Sequence, residues 1–262
     1  MKVRLRRRRR FDLSKALFIL PNLFTVSSIF CGFYAAILAA SATGSNMAEQ
    51  LYRACIAVLF AMVFDAVDGR VARLTKTQSA FGVQMDSLAD VISFGVVPAL
   101  IAWHWGLNAF GTVGLFACFT YCACGAIRLA RFNVMAAAED GPTAYFLGLP
   151  IPAAAGFLVA CIIATLKGPI AEMTDEAWPP ALLFALGVLM VSNVRFRTFK
   201  ATRLDRRALV VLVVIIVALL TIGIQYSASI AIVILMGGYL LLGIGEGCVS
   251  LVRGSKDEEK PD

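Results

Sequence analysis

The chain has 262 residues, of which 60% are hydrophobic and 16% are charged, and its formal net charge is +7. Together with a mean hydropathy of +0.81, this composition excludes an ordinary water-soluble protein and predicts an all-α, polytopic integral membrane protein. Because the basic residues gather in short segments between apolar runs, the positive charge favours a role in membrane topology over nucleic-acid binding.

Three parts are predicted along the chain. Residues 1–16 form a basic cytoplasmic segment that suits an anionic membrane surface, and residues 251–262 form a polar cytoplasmic tail. Residues 17–250 form one transmembrane domain, whose apolar runs predict eight helices of about 20 residues each. These helices are expected near residues 17–40, 51–74, 82–106, 110–132, 146–166, 177–194, 207–224 and 228–249.

The distribution of basic residues predicts the orientation of these helices. Of the 24 Lys and Arg residues, 22 fall in the termini and in alternate connections, and only Arg53 and Lys167 fall on the opposite side. Positively charged segments stay in the cytoplasm, so both termini and the connection between the second and third helices are expected there. The charge distribution therefore predicts a membrane bordered on one side by the cytoplasm.

The second and third predicted helices carry four aspartates within otherwise apolar surroundings: Asp65, Asp68, Asp86 and Asp90. Ionised carboxylates are costly inside a membrane and usually mark a functional site. Asp65 and Asp68 share one helix face through their i,i+3 spacing, and Asp86 and Asp90 share another through i,i+4. In an antiparallel hairpin Asp65 lies level with Asp90, and the other two aspartates lie level with each other. The spacing therefore predicts that four carboxylates converge near the cytoplasmic ends of two helices.

Such a cluster indicates a divalent metal site. Four carboxylates this close repel one another unless they are protonated or neutralised by cations. Mg²⁺ and Mn²⁺ prefer carboxylate oxygens, and two such ions could share the four aspartates. Two metals near a cytoplasmic opening suit phosphoryl transfer, since they neutralise phosphate charge and stabilise a leaving oxygen. Gly69 and Gly82 leave room beside the acids for a bulky ligand, and Arg73 could contact phosphate oxygens.

Two other interpretations of the acids remain open from the residues alone. The cluster could be a structural acidic patch paired with Arg70 and Arg73. It could also belong to an ion-coupled transporter, although transporter sites usually lie near the bilayer midplane between repeats. These acids are predicted nearer the cytoplasmic face, and the sequence contains no visible repeat.

The same residues resemble the signature of the CDP-alcohol phosphotransferase family. Eight fixed residues across positions 65–90 have the expected identity and spacing: Asp65, Asp68, Gly69, Ala72, Arg73, Gly82, Asp86 and Asp90. Members of that family are integral membrane enzymes that displace CMP from a CDP-linked donor with an alcohol. The resemblance implies that the first three aspartates hold two metals. It also implies that Asp90 completes the second metal site and acts as general base on the acceptor hydroxyl.

Three further stretches resemble the bacterial phosphatidylserine synthase branch of the family. They are LPNLFTVSSIFCGF at 20–33, IRLARFNV at 127–134 and LGLPIPAAAG at 147–156, in which Ile151 stands where Ser is commoner. Together with the signature, the resemblance covers roughly residues 18–160, within a catalytic core expected at about 17–194, and it implies a bacterial cytoplasmic (inner) membrane as the location. It implies CDP-diacylglycerol as donor, L-serine as acceptor, a lipid bilayer as environment and a homodimer. Glycerol phosphate, inositol phosphate and choline remain alternative acceptors.

Side chains from these stretches are candidate substrate contacts. Asn22 and Thr25, spaced i,i+3 near the start of the first helix, could face the CDP-diacylglycerol nucleotide, although Pro21-Asn22 is also a common helix start. Arg128 and Arg131, at the cytoplasmic end of the fourth helix, could bind the serine carboxylate, with Asn133 as a neutral partner. Both arginines could instead serve only to set topology.

Overall fold

The computed structural model describes residues 13–75, 77, 79–138, 145–167 and 178–197, together with 230–235, 237, 238, 240, 241, 243 and 245. Helices dominate the described residues, which confirms the all-α prediction. Between residues 13 and 197 the α-helices are α1 (Leu13–Ala40), α2 (Met47–Thr75), α3 (Ala80–Asp90), α4 (Val97–Trp105), α5 (Gly111–Ala138), α6 (Ile151–Lys167) and α7 (Trp178–Val191).

Shorter elements connect or extend these helices. A π-helical turn, Val91–Val96, joins α3 to α4 without a break, and 3-10 turns form Gly44–Asn46 and Leu107–Phe110. Two three-residue strands, β1 (Tyr145–Leu147) and β2 (Arg195–Arg197), pair antiparallel with Phe146 opposite Phe196. This pair links the chain before α6 to the chain after α7. The described residues are therefore helical apart from one short antiparallel strand pair and the connections.

Three helices of the described chain are long and apolar enough to cross a bilayer, namely Asn22–Ala40, Ala80–Trp105 and Leu107–Met135. Two shorter apolar helices, Ile151–Leu166 and Trp178–Val191, match the predicted segments 146–166 and 177–194. The eighth predicted segment overlaps the helical residues described between 230 and 245. The segment at 207–224, both termini and Lys167's side chain lie outside what is described, so the count of eight and the orientation stay predictions.

The core begins with α1 packed along α2, which is the most extensive helix pair. Small buried residues line the contact on both sides, including Ala35 and Ala39 of α1 and Ala54 and Ala61 of α2. Small side chains let two membrane helices approach closely, so packing and not a hydrophobic gradient holds the pair together. A second pair, α5 with α7, lies on the other side of the α3–α4 helix.

The ends of the site-bearing elements follow local rules. Ser79 precedes α3 with extended backbone angles, and its hydroxyl accepts a 3.0 Å hydrogen bond from the Gly82 N–H. Such a cap satisfies one of the free N–H groups at the start of a helix. Gly148, before α6, has φ +76°, which favours glycine, and its N–H donates to the Val194 carbonyl at 2.9 Å. Predicted segment 146–166 therefore becomes helical only at Ile151.

Candidate active site

The four aspartates come from two neighbouring helical segments, with Asp65 and Asp68 on α2 and Asp86 and Asp90 on α3. One carboxylate oxygen from each of Asp65, Asp68 and Asp86 lies within 4.8 Å of the other two. Asp68 and Asp90 are buried, with only 4% and 8% of their surfaces exposed, whereas the other two are partly exposed. The cluster thus lies between α2 and α3, with two of its four acids buried and two partly exposed.

Asp90 is one of the two buried acids of the cluster. Its carboxyl group lies close to that of Asp65, which is the level pair expected from an antiparallel hairpin. Its Oδ1 atom is buried and accepts no hydrogen bond from the described part of the chain. A buried carboxylate oxygen normally has a partner, so this atom fits a site that is completed by a cation.

A residue of α1 fixes one of the aspartates. Thr25 is buried, and its Oγ1 donates a 2.8 Å hydrogen bond to Oδ2 of Asp68, 43 positions away in the sequence. A hydrogen bond to a carboxylate orients it and leaves its other oxygen directed elsewhere. The structure therefore gives Thr25 a place in the acidic cluster itself, which the sequence pattern alone did not indicate.

A cleft of about 300 Å³ opens beside the cluster. Its lining combines the two acids Asp68 and Asp86 with Arg73, polar side chains from α1 and the α2–α3 connection, and one aromatic ring, Phe132. The full lining is Asn22, Thr25, Asp68, Gly69, Ala72, Arg73, Thr77, Ser79, Gly82, Val83, Asp86 and Phe132. All five residues predicted to contact CDP-diacylglycerol are in this set, so the structure brings them together around one space.

The two glycines keep this cleft open. A Cβ atom on Gly82 would lie 3.3 Å from the Ser79 hydroxyl and 3.8 Å from Oδ1 of Asn22. A Cβ atom on Gly69 would point towards Arg73, at 4.0 Å from Nη1. Any larger side chain at either position would therefore occupy space beside the acids, where a ligand has to approach the backbone.

Arg128 lies near Asp90, one of the two buried acids of the cluster. It is 7% exposed on α5, and its guanidinium carbon stands 5.7 Å from the ring centre of Phe132, which lines the cleft. It is also close enough to Asp90 for the two charges to attract each other. The Arg128 guanidinium is thus near both buried Asp90 and Phe132 of the cleft wall. In this position it could bind an anionic group of a small substrate.

The other two residues predicted to bind serine make contacts within the protein. Arg131 donates through Nη1 to the Val191 carbonyl at 3.3 Å and through Nη2 to Oδ1 of Asn193 at 2.6 Å. The guanidinium thus satisfies the carboxyl end of α7, as basic side chains often do. Asn133 donates from Nδ2 to the Ser87 hydroxyl at 2.9 Å and so ties α5 to α3 between two of the aspartates.

The arrangement fits divalent metal binding better than a structural acidic patch. Within the described ranges, no salt bridge joins Arg70 or Arg73 to an aspartate of the cluster, whereas Arg53 pairs with Glu49. Converging carboxylate oxygens are the ligands that Mg²⁺ and Mn²⁺ prefer. Asp65, Asp68, Asp86 and Asp90 are therefore the residues that could hold such ions, beside a cleft large enough for part of a nucleotide-linked substrate.

Comparison with known proteins places this site in a family. Residues 18–191 match the CDP-alcohol phosphatidyltransferases, and the match contains all four aspartates and the cleft. The chain is 41% identical over 228 residues to a CDP-diacylglycerol–serine O-phosphatidyltransferase of Helicobacter pylori, covering 87% of this chain and 90% of that protein. It is 30% identical over 181 residues to the enzyme of the same name from Bacillus subtilis, covering 69% and 91%.

An archaeal protein is also similar. The archaetidylserine synthase of Methanothermobacter thermautotrophicus is 36% identical over 179 residues, covering 68% of this chain and 69% of the archaeal one. The family match spans well over half of the chain and includes both site-bearing helices, α2 and α3. The predicted family and the predicted integral membrane transferase class are confirmed: this chain belongs to the CDP-alcohol phosphatidyltransferase family.

Proposed function

We propose that this chain is a phosphatidylserine synthase, which transfers the phosphatidyl group of CDP-diacylglycerol to the hydroxyl of L-serine and releases CMP. The observation that carries the proposal is the 41% identity, over 87% of the chain, to a protein named for that reaction. The bacterial relatives and the archaeal relative are named for different lipids, yet all these names contain serine. The shared element among them is therefore the acceptor.

The proposed reaction breaks one P–O bond and forms another. The serine hydroxyl oxygen attacks the phosphorus that carries diacylglycerol, and the bond from this phosphorus to the CMP oxygen breaks. Asp90 takes the hydroxyl proton, and CMP leaves with the electron pair of the broken bond. A neutral hydroxyl is a poor nucleophile, so a carboxylate at hydrogen-bonding distance assists as the proton departs.

The acidic cluster would hold the metal ions. Asp65, Asp68 and Asp86, whose oxygens converge within 4.8 Å, would bind them together with Asp90. When bound, two Mg²⁺ or Mn²⁺ ions supply neutralisation of the diphosphate charge and of the leaving oxygen. Arg73, on the cleft wall, would add a guanidinium to the phosphate groups.

Arg128 is the proposed ligand of the serine carboxylate. It is buried beside Asp90 and next to the cleft-lining Phe132, so a carboxylate held there would place the serine hydroxyl near the base. Arg131, an equal candidate by sequence, lies at the carboxyl end of α7, where its guanidinium contacts Val191 and Asn193; the preference for Arg128 comes from its position near Asp90. The protein would work as a homodimer in a bacterial inner membrane, with the site facing the cytoplasm, as the basic connections favour.

Purified protein tests this function directly. CMP release from CDP-diacylglycerol should require an alcohol, and L-serine should be preferred over glycerol phosphate, inositol phosphate and choline. Another preferred alcohol would replace serine in the proposal, and no CMP release with any acceptor would reject the transfer reaction. Asp90→Asn keeps the size of the side chain but cannot take the proton, so we expect kcat to fall by at least about 10²-fold. Near-normal kcat would remove Asp90 from the mechanism.

Arg128 and Arg131 form a matched pair for testing the serine site, since they lie one turn apart on α5. Arg128→Lys loses the bidentate geometry and should raise KM for serine by about 10-fold or more, with little change in KM for CDP-diacylglycerol. Arg131→Lys should lower thermal stability, because it weakens the contact with α7, and should leave KM for serine unchanged. The reverse pattern would assign the carboxylate to Arg131.

A further inference from the structure

An unusual backbone feature begins directly after the proposed base. Asp90 is the last residue of α3, and the π-helical turn Val91–Val96 follows it without interruption. The Val97 N–H donates to the Ile92 carbonyl, five residues back, where an α-helix would use the carbonyl four residues back. π-helical turns are rare, and they occur often at functional sites.

Two buried hydroxyl groups hold this turn in place. The Tyr121 hydroxyl, on α5, donates to the Phe94 carbonyl at 3.0 Å. The Ser93 hydroxyl donates to the Ser28 carbonyl of α1 at 3.2 Å. Tyr121, Ser93 and Phe94 are each fully buried. Burying a hydroxyl group without a hydrogen-bond partner costs free energy. These two bonds therefore favour the wide turn over backbone arrangements that would break them.

The surface of α1 is shaped to receive the turn. Gly32 faces Ser93, and a Cβ atom at Gly32 would lie 2.7 Å from the Ser93 hydroxyl oxygen and 3.1 Å from its Cα. Real Cβ atoms do not approach other atoms so closely, so any residue larger than glycine would push the turn away from α1. The contact therefore depends on the missing side chain.

The turn affects the direction in which Asp86 and Asp90 point, because it sets the rotation of one half of the helix relative to the other. The part of the helix beyond it is fixed in the core, where Val97, Ile101 and Ala102 are buried. One residue of α-helix corresponds to a rotation of about 100°. If the wide turn closed to regular α-helix, the side carrying Asp86 and Asp90 would rotate relative to this fixed half. Such a rotation would turn these two acids away from the aspartates of α2 that they now approach.

We propose that the π-helical turn Val91–Val96 is the element that positions Asp90 in the acidic cluster, and that Tyr121 and Ser93 act as positioning residues for the transfer reaction. Both hydroxyls are fully buried and bonded to backbone carbonyls, so neither is expected to touch substrate. The inference rests on the proposed role of Asp90. It adds that this role depends on two hydrogen bonds that join the turn to α1 and α5.

Tyr121→Phe removes one hydroxyl and leaves the ring in place. We expect kcat per folded enzyme to fall by about 10-fold or more, since small displacements of a reacting group are costly, while KM for CDP-diacylglycerol and for serine stays within about twofold. Tyr34→Phe makes the same chemical change on the half-exposed face of α1 and should leave all three constants unchanged. The folded amount is measured by size-exclusion chromatography and thermal unfolding in detergent.

A second pair of variants tests the same turn from α1. Gly32→Ala should also lower kcat selectively, because its methyl group meets Ser93. In a Ser93→Gly background the hydroxyl and Cβ that this methyl group meets are absent, so the same Gly32→Ala change should lower kcat by a smaller factor than in the unchanged enzyme. A smaller factor in the Ser93→Gly background supports displacement of the turn through Ser93, whereas an equal factor in both backgrounds contradicts it.

The outcomes separate this inference from the proposed function. If Asp90→Asn is inactive and Tyr121→Phe has the kcat of the unchanged enzyme, the positioning role is wrong and the base is retained. A loss of kcat that equals the loss of folded protein would likewise reduce Tyr121 to a structural residue. If Asp90→Asn is itself active, the proposed function of Asp90 fails first.

Discussion

Thr25→Val is the most direct test of how α1 supports the acidic cluster. Valine has nearly the shape of threonine but cannot donate the 2.8 Å hydrogen bond to Oδ2 of Asp68. A hydrogen bond to a charged group contributes about 1.5–3 kcal/mol, and about 1.4 kcal/mol corresponds to a factor of ten. We therefore expect the apparent affinity for the activating metal to fall by roughly 10- to 100-fold, the range measured for residues that orient metal ligands.

Two assays separate this effect from a loss of substrate binding. Binding of Mn²⁺ alone to purified protein can be followed by electron paramagnetic resonance, and CMP release can be titrated against Mg²⁺. Thr25→Val should need more of either ion, and saturating metal should restore much of the turnover. If Thr25 acts only on the nucleotide, metal binding will be unchanged and KM for CDP-diacylglycerol will rise instead.

Thr165→Val provides a matched control. Thr165 has the same 5% exposure as Thr25, and its hydroxyl accepts a 2.9 Å hydrogen bond from Nε1 of Trp105. It contacts none of the acidic residues of the cluster in the described chain, so its loss should reduce stability without changing the metal requirement. Equal metal affinity in both variants and the unchanged enzyme would refute the orienting role of Thr25.

Three further results are expected. Asp68→Asn removes a ligand oxygen and should reduce turnover by at least about 10²-fold, and EDTA should abolish activity until Mg²⁺ or Mn²⁺ is returned; full activity after thorough chelation would contradict the metal site. Gly148 has φ +76°, and Gly148→Ala adds a Cβ that collides with the Met190 carbonyl oxygen. Thermal unfolding should therefore show that the free energy of unfolding falls by at least about 2 kcal/mol. An unchanged unfolding midpoint would mean that the chain shifts freely there. Cysteines placed at Lys167 and Lys200 should be labelled from outside and inside respectively, and the opposite pattern would show that the count of segments is wrong by one.

The sequence alone determined the membrane class, the family and the identity of the four aspartates. These depend on local properties: apolar runs set helix length, and i,i+3 and i,i+4 spacing sets which side chains share a face. The pairing of Asp65 with Asp90 also follows from spacing, because a short connection makes neighbouring helices antiparallel. Such rules need no knowledge of how distant segments pack.

Only the tertiary structure separated residues that the sequence treats alike. Arg128 and Arg131 lie on one helix three positions apart, yet the first lies beside Asp90 and the second binds the end of α7. Their difference depends on whether α7 lies against that side of α5, which no local pattern encodes. Phe132, between Arg131 and Asn133, lines the cleft, which likewise depends on which helices pack against α5.

The tertiary structure also decided the contacts that hold the acids in place. The bond from Thr25 to Asp68 spans 43 positions and the bond from Tyr121 to the Phe94 carbonyl spans 27. Each joins two different helices, so its existence depends on their relative rotation and depth. Spacing rules predicted which residues share a helix face, but the choice of facing partner belongs to the packing of the whole bundle.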